Sequence, residues 1–425
     1  MNLILKNGRL FDPSQNLDRI GDLVIQDDRI RDLGPDIAAP GPGVIDCTGL
    51  IVAPGFIDLH VHLREPGFEY KETVESGTRA AAAGGFTAVC AMPNTNPVND
   101  NAGATAYLLS RARELGHARV YPVGAITEGS RGERMAALGA MRQAGAVAFS
   151  DDGKPVMNAQ MIRRALEYAS MFNLPIIEHA EDLHLSAGGS MHAGPRAIQL
   201  GLRGISANSE AAMVARDLLL AEETGGHIHI AHLSTAASVR LVREAKARGV
   251  RATAEVTPHH LTLCDDDVIA YDTNFKMNPP LRGAGDRAAV IAGLADGTID
   301  AIATDHAPHA AHEKQQEFDR APFGITGLET ALPLVLRLVR DGHITLARMV
   351  DALSCAPARI FHLEGGSLKT GTPADLTVFD PDCQWIYDPA ESLSKSRNSP
   401  FAHWQFRGRA LYTIVGGRVV FTARH

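Results

Sequence analysis

Two histidines separated by one residue, His60 and His62, end an apolar stretch that begins near Gly55. If that stretch is a β-strand, residues i and i+2 point to the same face, so both imidazoles can bind one ion. Imidazole nitrogens are ligands for zinc and related transition metals. A His-x-His pair alone is weak evidence, because two partly solvated histidines at a strand end give the same pattern. Support must come from the rest of the chain.

Histidine and carboxylate residues also follow several other apolar stretches. The candidates are His60 and His62, Asp151 and Asp152, Glu178 and His179, His232, Glu255, His259 and His260, and Asp305 and His306. One catalytic zinc ion usually takes only three protein ligands, so four histidines and two carboxylates are more than one zinc needs. Two metal ions that share a bridging carboxylate would use six such residues, and such a pair can hold a hydroxide and polarise a carbonyl. Asp305 would then both bind a metal and exchange a proton, as general base and general acid.

The elements that must position these residues alternate along the centre of the chain. Apolar strand candidates fall near 56–62, 86–93, 119–125, 146–151, 175–180, 227–232, 250–256 and 299–305. Segments with helical periodicity lie between most of them, including 158–172, 208–224 and 235–248. Eight strands, most followed by a helix, predict an α/β fold of the (β/α)8 TIM-barrel type, with its active site at the carboxyl ends of the strands. A doubly wound open sheet is the alternative, but no Gly-rich phosphate loop follows the first strand.

Both ends of the chain instead suggest short strands separated by turns. We therefore predict a small composite β-sandwich built from residues 1–52 and 365–425, around a barrel of residues 53–364. Two segments without clear periodicity, 181–207 and 306–324, are predicted to be functional loops over the barrel mouth.

Composition excludes several classes of protein. The 425 residues carry a net charge of −8 and have no basic tract, which argues against nucleic-acid binding. No apolar run approaches the roughly 20 residues needed to span a bilayer, and the first residues do not look like a signal peptide. The five cysteines are scattered and form no CxxC pair. We expect a cytoplasmic protein that binds a small molecule, with no nucleic-acid or membrane partner.

Longer motifs around the candidate residues narrow this expectation. They are DLHVHLREPG at 58–67, AMPNT at 91–95, FSDDG at 149–153, NPPLR at 278–282, TDHAPH at 304–309 and PFGITGLET at 322–330. Together they resemble the amidohydrolase superfamily and, within it, the bacterial class I dihydroorotases, over essentially the whole chain. The resemblance implies the reversible closure of N-carbamoyl-L-aspartate to L-dihydroorotate and water, in pyrimidine (UMP) synthesis.

The resemblance also implies a role for each matching residue. Two zinc ions per chain are expected, with one as the alternative, and their ligands are His60, His62 and Asp305 for the first, His179 and His232 for the second, and Asp152 as the bridge. The substrate would be held by Arg64, Asn94, Asn278, His309 and the backbone at Phe323 and Gly324. Independently, an arginine suits a carboxylated ring, and asparagines can donate to and accept from a ureido edge.

The bridging position departs from relatives such as the hydantoinases, which use a carboxylated lysine on strand 4. Here that strand ends in Asp151 and Asp152, and Lys154 lies two residues further on. Because class I dihydroorotases commonly have an aspartate there, we choose Asp152 over Asp151, and Lys154 is the less favoured alternative.

Two other functions stay open. One is a cyclic amidase of the hydantoinase or allantoinase kind. The other is a non-catalytic scaffold partner of aspartate transcarbamoylase, although such chains typically lose metal ligands and this one keeps every position. The sequence also leaves open a homodimer, and an active enzyme in complex with the transcarbamoylase. The charged segment 307–320 is predicted to be a mobile lid.

The remaining histidines receive mostly structural interpretations. His227 and His229 are expected to face the surrounding helices, and His306 is a candidate for orienting Asp305. His259 and His260 are interpreted as structural, with support of the metal ligands as the alternative.

Overall fold

The centre of the chain forms a barrel of eight parallel strands. The computed structural model describes residues 2–38 and 43–423. In chain order, the barrel strands are Phe56–Val61, Phe86–Ala91, Arg119–Gly124, Ala148–Ser150, Ile176–Glu178, Ile228–Ile230, Ala252–Val256 and Ala301–Ile302. Each strand pairs with its neighbours in sequence, and a parallel bridge between Val61 and His306 closes the ring between the last strand and the first. The predicted (β/α)8 barrel is confirmed.

Helices cover the outside of this barrel. The longer ones are Val74–Ala83, Ala102–Leu115, Leu138–Ala144, Ala159–Ser170, Asn208–Thr224, Ala236–Ala247, Ala284–Ala295 and Ala331–Arg340, and the chain then adds Leu346–Val350 and Ala356–Ile360. In Ala159–Ser170 the buried residues repeat every three or four positions, which turns one face to the strands: Ile162, Ala165, Leu166 and Ala169. Within residues 2–38 and 43–423, no helix is both long and apolar enough to cross a bilayer.

The two segments predicted as loops over the mouth contain more regular structure than expected. Segment 181–207 holds the helices Leu183–Ser186 and Pro195–Leu200 and a parallel pair of two-residue strands, Met191–His192 and Gly204–Ile205. Segment 306–324 holds the helix Ala311–Lys314. These elements were missed because each is too short to show a hydrophobic period.

Strands from both ends of the chain form a second sheet. Its members are Asn2–Asp12, Leu17–Gln26, Arg29–Gly34, Gly43–Asp46, Ile51–Pro54, Leu376–Ile386, Gln405–Val415 and Arg418–Thr422. Strand Ile51–Pro54 joins the two halves, because it pairs in parallel with Asn2–Asp12 and antiparallel with Leu376–Ile386. The composite β-sandwich built from both termini is therefore confirmed. The exact boundaries at residues 52 and 365 stay a prediction.

Candidate metal centre

Side chains from five barrel strands meet at the carboxyl ends of the strands, where the sequence predicted an active site. Their exposed fractions are at most 5%. In three overlapping groups, the potential ligand atoms lie within 4.8 Å of one another: His60, His232 and Asp305; His60, His62 and Asp152; Asp152, His179 and His232. All six predicted ligands therefore meet in one cluster.

Asp152 lies at the middle of this cluster. Its Oδ1 is 3.2 Å from His60 Nε2, and its Oδ2 is 3.4 Å from His62 Nε2. On the other side, Oδ1 is 3.8 Å from both His179 Nδ1 and His232 Nε2. Asp152 therefore lies within 4 Å of a ring nitrogen of each of the four histidines.

Asp305 lies nearest to His62 and also groups with His60 and His232. Its Oδ1 is 3.0 Å from His62 Nε2 and 3.5 Å from His60 Nε2. Burial alone would raise the pKa of Asp305, but the neighbouring rings of His60 and His62 outweigh that effect and hold the pKa well below its usual range. Asp305 is therefore ionised and able to accept a proton.

The donor set fits divalent transition metals. His60 Nε2 and Asp152 Oδ1 are buried and have no hydrogen-bond partner among the described residues. Burying polar atoms without partners is unfavourable, so such atoms in a native site indicate a group that they bind. Four imidazoles and two carboxylates match the nitrogen and oxygen ligands that zinc prefers.

Left-handed backbone conformations orient three of the site residues. His232, Asp305 and Arg64 have φ values of 32°, 44° and 61°, although none of them is a glycine. Such left-handed conformations are uncommon for residues with a Cβ atom, and each costs about 1–3 kcal/mol. They occur where the strand ladder stops, so they turn each side chain off the strand direction.

In His62 and His179, the ring nitrogen that faces away from the cluster has an acceptor beside it. His62 Nδ1 is 2.8 Å from Asn94 Oδ1, and His179 Nε2 is 3.1 Å from Glu181 Oε2. Such contacts fix which nitrogen carries the proton and leave the other free for a metal. Glu181 was not predicted as a site residue, although its position two residues after His179 could have indicated a partner for that ring.

Comparisons with known proteins agree with this geometry. A family model described as "Dihydro-orotase-like" matches residues 49–238. A curated dihydroorotase from Solibacter usitatus is 56% identical over 418 residues, covering 98% of this chain and 97% of the relative. One from Syntrophotalea carbinolica is 54% identical over 421 residues, covering 99% of each.

The chain belongs to the dihydroorotase family. Among solved structures, an L-hydantoinase (dihydropyrimidinase) from Arthrobacter aurescens matches with a TM-score of 0.90 at 25% identity, covering 100% of this chain and 96% of that one. A dihydropyrimidinase from Brevibacillus agri matches with a TM-score of 0.86 at 22% identity. The second match shows the shared fold alone.

In this member of the dihydroorotase family, the two adjacent aspartates of strand 4 point in different directions. Asp151 Oδ1 accepts hydrogen bonds from the amides of Ile126 at 2.9 Å and Thr127 at 3.0 Å. Asp151 therefore fixes the loop after strand 3, while Asp152 faces the histidines. Lys154 is exposed and follows in the next turn.

The residues expected to hold the dihydroorotase substrate surround the cluster. Arg64 is half-buried, and its Nε donates to the Pro308 carbonyl at 3.2 Å. Burial lowers the pKa of Arg64, and the nearby carboxylates of Asp305 and Asp152 oppose that shift. Asn278 Nδ2 donates to Glu181 Oε2 at 2.9 Å, next to the His179 ring. Asn94 contacts the His62 ring, so both asparagines lie beside rings of predicted metal ligands.

His309 lies against the backbone at Phe323 and Gly324. His309 Nε2 is 2.8 Å from the Phe323 carbonyl oxygen. A Cβ atom at Gly324 would lie 2.6 Å from the carbonyl oxygen of Ala307, so only glycine fits there. The Gly324 amide already donates to the Lys276 carbonyl. A direct hydrogen bond from that amide to the substrate would require this contact to be exchanged.

Two predictions about other histidines were wrong. His227 and His229 point into the barrel, where both rings contact Thr253 Oγ1 at 2.8 Å, because the alternating Ile228 and Ile230 take the positions facing the helices. His306 does not orient Asp305: its Nε2 is 3.2 Å from Glu72 Oε2 instead.

The contacts of His260 agree with a structural role, because its ring links Thr257 to the Pro279 carbonyl. The interpretation of His259 stays a prediction, and its Nε2 is buried without a hydrogen-bond partner among the described residues.

Mobility of segment 307–320 stays a prediction. In this structure, Lys71 Nζ is 2.8 Å from Glu313 Oε1, and this ion pair joins the segment to the loop after strand 1.

Proposed function

We propose that this chain converts N-carbamoyl-L-aspartate and L-dihydroorotate into one another, with two zinc ions bound at the centre described above. One ion would be held by His60, His62 and Asp305, the other by His179 and His232, with Asp152 shared by both. The observation that carries the proposal is the position of Asp152, whose two oxygens lie 3.2–3.8 Å from nitrogens of all four histidines.

Zinc at these ligands would supply Lewis acidity, by lowering the pKa of water and polarising a carbonyl group. In the hydrolytic direction, a water oxygen adds to the ring carbonyl carbon that is bonded to the methylene group, and the bond from that carbon to the imide nitrogen breaks. Asp305 is ionised beside His62 and can take a proton from that water. It then gives the proton to the departing nitrogen, and ring closure follows the same path in reverse.

The chain's other residues select and orient the substrate. The guanidinium of Arg64 would bind the carboxylate that stays outside the ring, since its planar donors match a carboxylate. The side-chain amides of Asn94 and Asn278 lie beside His62 and His179 and would bind polar atoms of the ring. Burial and the charge of Arg64 lower the pKa of His309 to about 2, so His309 would act as a neutral hydrogen-bonding group.

The direct test measures hydrolysis of L-dihydroorotate together with zinc content per chain. Protein stripped with a chelator and then reloaded with zinc is the control. We expect about two zinc ions per chain and activity that is lost and regained with the metal. No activity with any metal would favour the scaffold interpretation.

Substrate choice is tested separately, because the solved L-hydantoinase shares the fold over the whole chain. A 5-substituted hydantoin and allantoin should be hydrolysed much more slowly than dihydroorotate, since neither carries the ring carboxylate that Arg64 would bind. Faster turnover of either compound would overturn the substrate assignment and leave the metal centre standing.

A further inference from the structure

A line of polar side chains runs down the inside of the barrel beneath the metal centre. His60 Nδ1 is 2.8 Å from Glu255 Oε1, and Glu255 Oε2 is 3.1 Å from His229 Nε2. Further down, Thr253 Oγ1 is 2.8 Å from both His229 Nδ1 and His227 Nε2. Strands 1, 6 and 7 thus contribute to one continuous set of contacts.

The carboxylate fixes the direction of the two upper bonds in this line. A carboxylate only accepts, so His60 Nδ1–H and His229 Nε2–H must both donate to Glu255. Below them, the Thr253 hydroxyl has one proton and lies between His229 Nδ1 and His227 Nε2, so it can donate to only one of the two rings. One carboxylate consequently fixes a donor nitrogen on each of two histidines, His60 and His229.

Glu255, His60 and His229 are buried, so solvent cannot supply a replacement hydrogen-bond partner. Glu255 is 1% exposed, and both His60 and His229 are 0% exposed. The His229 ring packs edge-on against Phe361, with ring centroids 5.6 Å apart. Water cannot replace the carboxylate without opening the barrel interior, so loss of Glu255 would leave His60 Nδ1–H without an acceptor.

We propose that Glu255 is a positioning residue for the metal centre: it holds His60 as the Nδ1–H tautomer, with the Nε2 lone pair directed at the metal. This inference rests on the proposed function, because it assumes that His60 Nε2 binds zinc. His229 holds the second carboxylate oxygen and so stops Glu255 from rotating away from His60. Glu255 lies in the strand candidate 250–256 and received no role from the sequence alone.

The test measures zinc dissociation constants by chelator competition in three variants. E255M removes the acceptor at nearly the same volume, and E255Q keeps one acceptor oxygen. E329M is the matched control, because the Glu329 carboxylate is held by the Ser392 hydroxyl and the Leu393 amide and by no contact with a ligand ring. We expect E255M to weaken zinc binding about 10- to 100-fold, the usual effect of losing such a partner. E255Q should stay within about tenfold of wild type and E329M within about threefold.

The zinc measurement separates this inference from the proposed function. If wild-type protein binds no zinc, the proposed function fails. If wild type binds zinc and E255M binds it equally well, only the role of Glu255 is refuted. Equal weakening in E255M and E329M would also refute it, because the effect would then be general destabilisation.

Nitrogen NMR of the histidine-labelled wild-type protein keeps the inference testable if E255M does not fold. The two neutral tautomers of histidine give distinct nitrogen shifts. We expect an Nδ1–H histidine whose resonances move in E255Q. Its absence would overturn the proposal.

Discussion

The strongest test of the metal centre exchanges the two neighbouring aspartates of strand 4 separately. In D152N the amide keeps the size of the side chain but removes the charge that faces four imidazoles at 3.2–3.8 Å. In D151N the same change occurs one residue away, at a carboxylate that binds the amides of Ile126 and Thr127. Asp151 and Asp152 are therefore adjacent in sequence, chemically identical and both buried. They differ in what the side chain contacts.

We expect D152N to lose zinc binding and activity, and D151N to lose stability. Loss of the shared ligand should weaken zinc binding more than 100-fold, since even partners outside the ligand set contribute 10- to 100-fold. Metal ions supply several kcal/mol of charge stabilisation, so a loss of about 4 kcal/mol lowers kcat about 10³-fold. For D151N, the amide oxygen can still accept from both backbone amides. We expect a loss of about 1–3 kcal/mol in the free energy of unfolding, with unchanged zinc binding.

The assays are zinc per chain after gel filtration, dihydroorotate hydrolysis, and urea unfolding of each variant. D152N should unfold near the zinc-free wild type, which shows that its defect is in binding. The reasoning would be refuted if D152N kept two zinc ions and its activity. Loss of zinc from D151N together with retention by D152N would show that the other aspartate is the bridge.

Two further predictions concern the surroundings of the centre. R64K should raise KM for dihydroorotate at least about tenfold with zinc content unchanged, because an ammonium group cannot pair with a carboxylate through two parallel bonds; an unchanged KM would contradict the role of Arg64. Burial lowers the pKa of Lys314 to about 7, whereas an unfolded lysine titrates near 10.4. The unfolded state therefore binds more protons between these values, and the free energy of unfolding should rise with pH by up to about 1.4 kcal/mol per unit. Urea unfolding at pH 7 and 9 should show a smaller rise in the free energy of unfolding for K314M than for wild type, and equal rises would refute the lowered pKa of Lys314.

Much of the fold could be predicted because its signals are local. Each barrel strand is a short apolar run, and each longer helix has its own period, so neither required knowledge of distant contacts. The strand-8 candidate 299–305 was nevertheless too long, since the ladder covers only Ala301–Ile302 before the chain turns at Asp305. The helices and strands within 181–207 were missed because such short elements are stabilised by their neighbours rather than by their own pattern.

The sequence by itself determined which side chains reach the mouth of the barrel, because covalent order puts His60, His62, His179, His232 and Asp305 at or just after strand ends. Only the tertiary structure decided where the neighbouring polar residues point. A shift of one residue moves a side chain to the opposite face of a strand, so sequence analysis assigned His229 to the wrong side. The contact between His60 and Glu255 joins residues separated by 195 positions. It exists only because closure of the barrel places strands 1 and 7 on either side of strand 8.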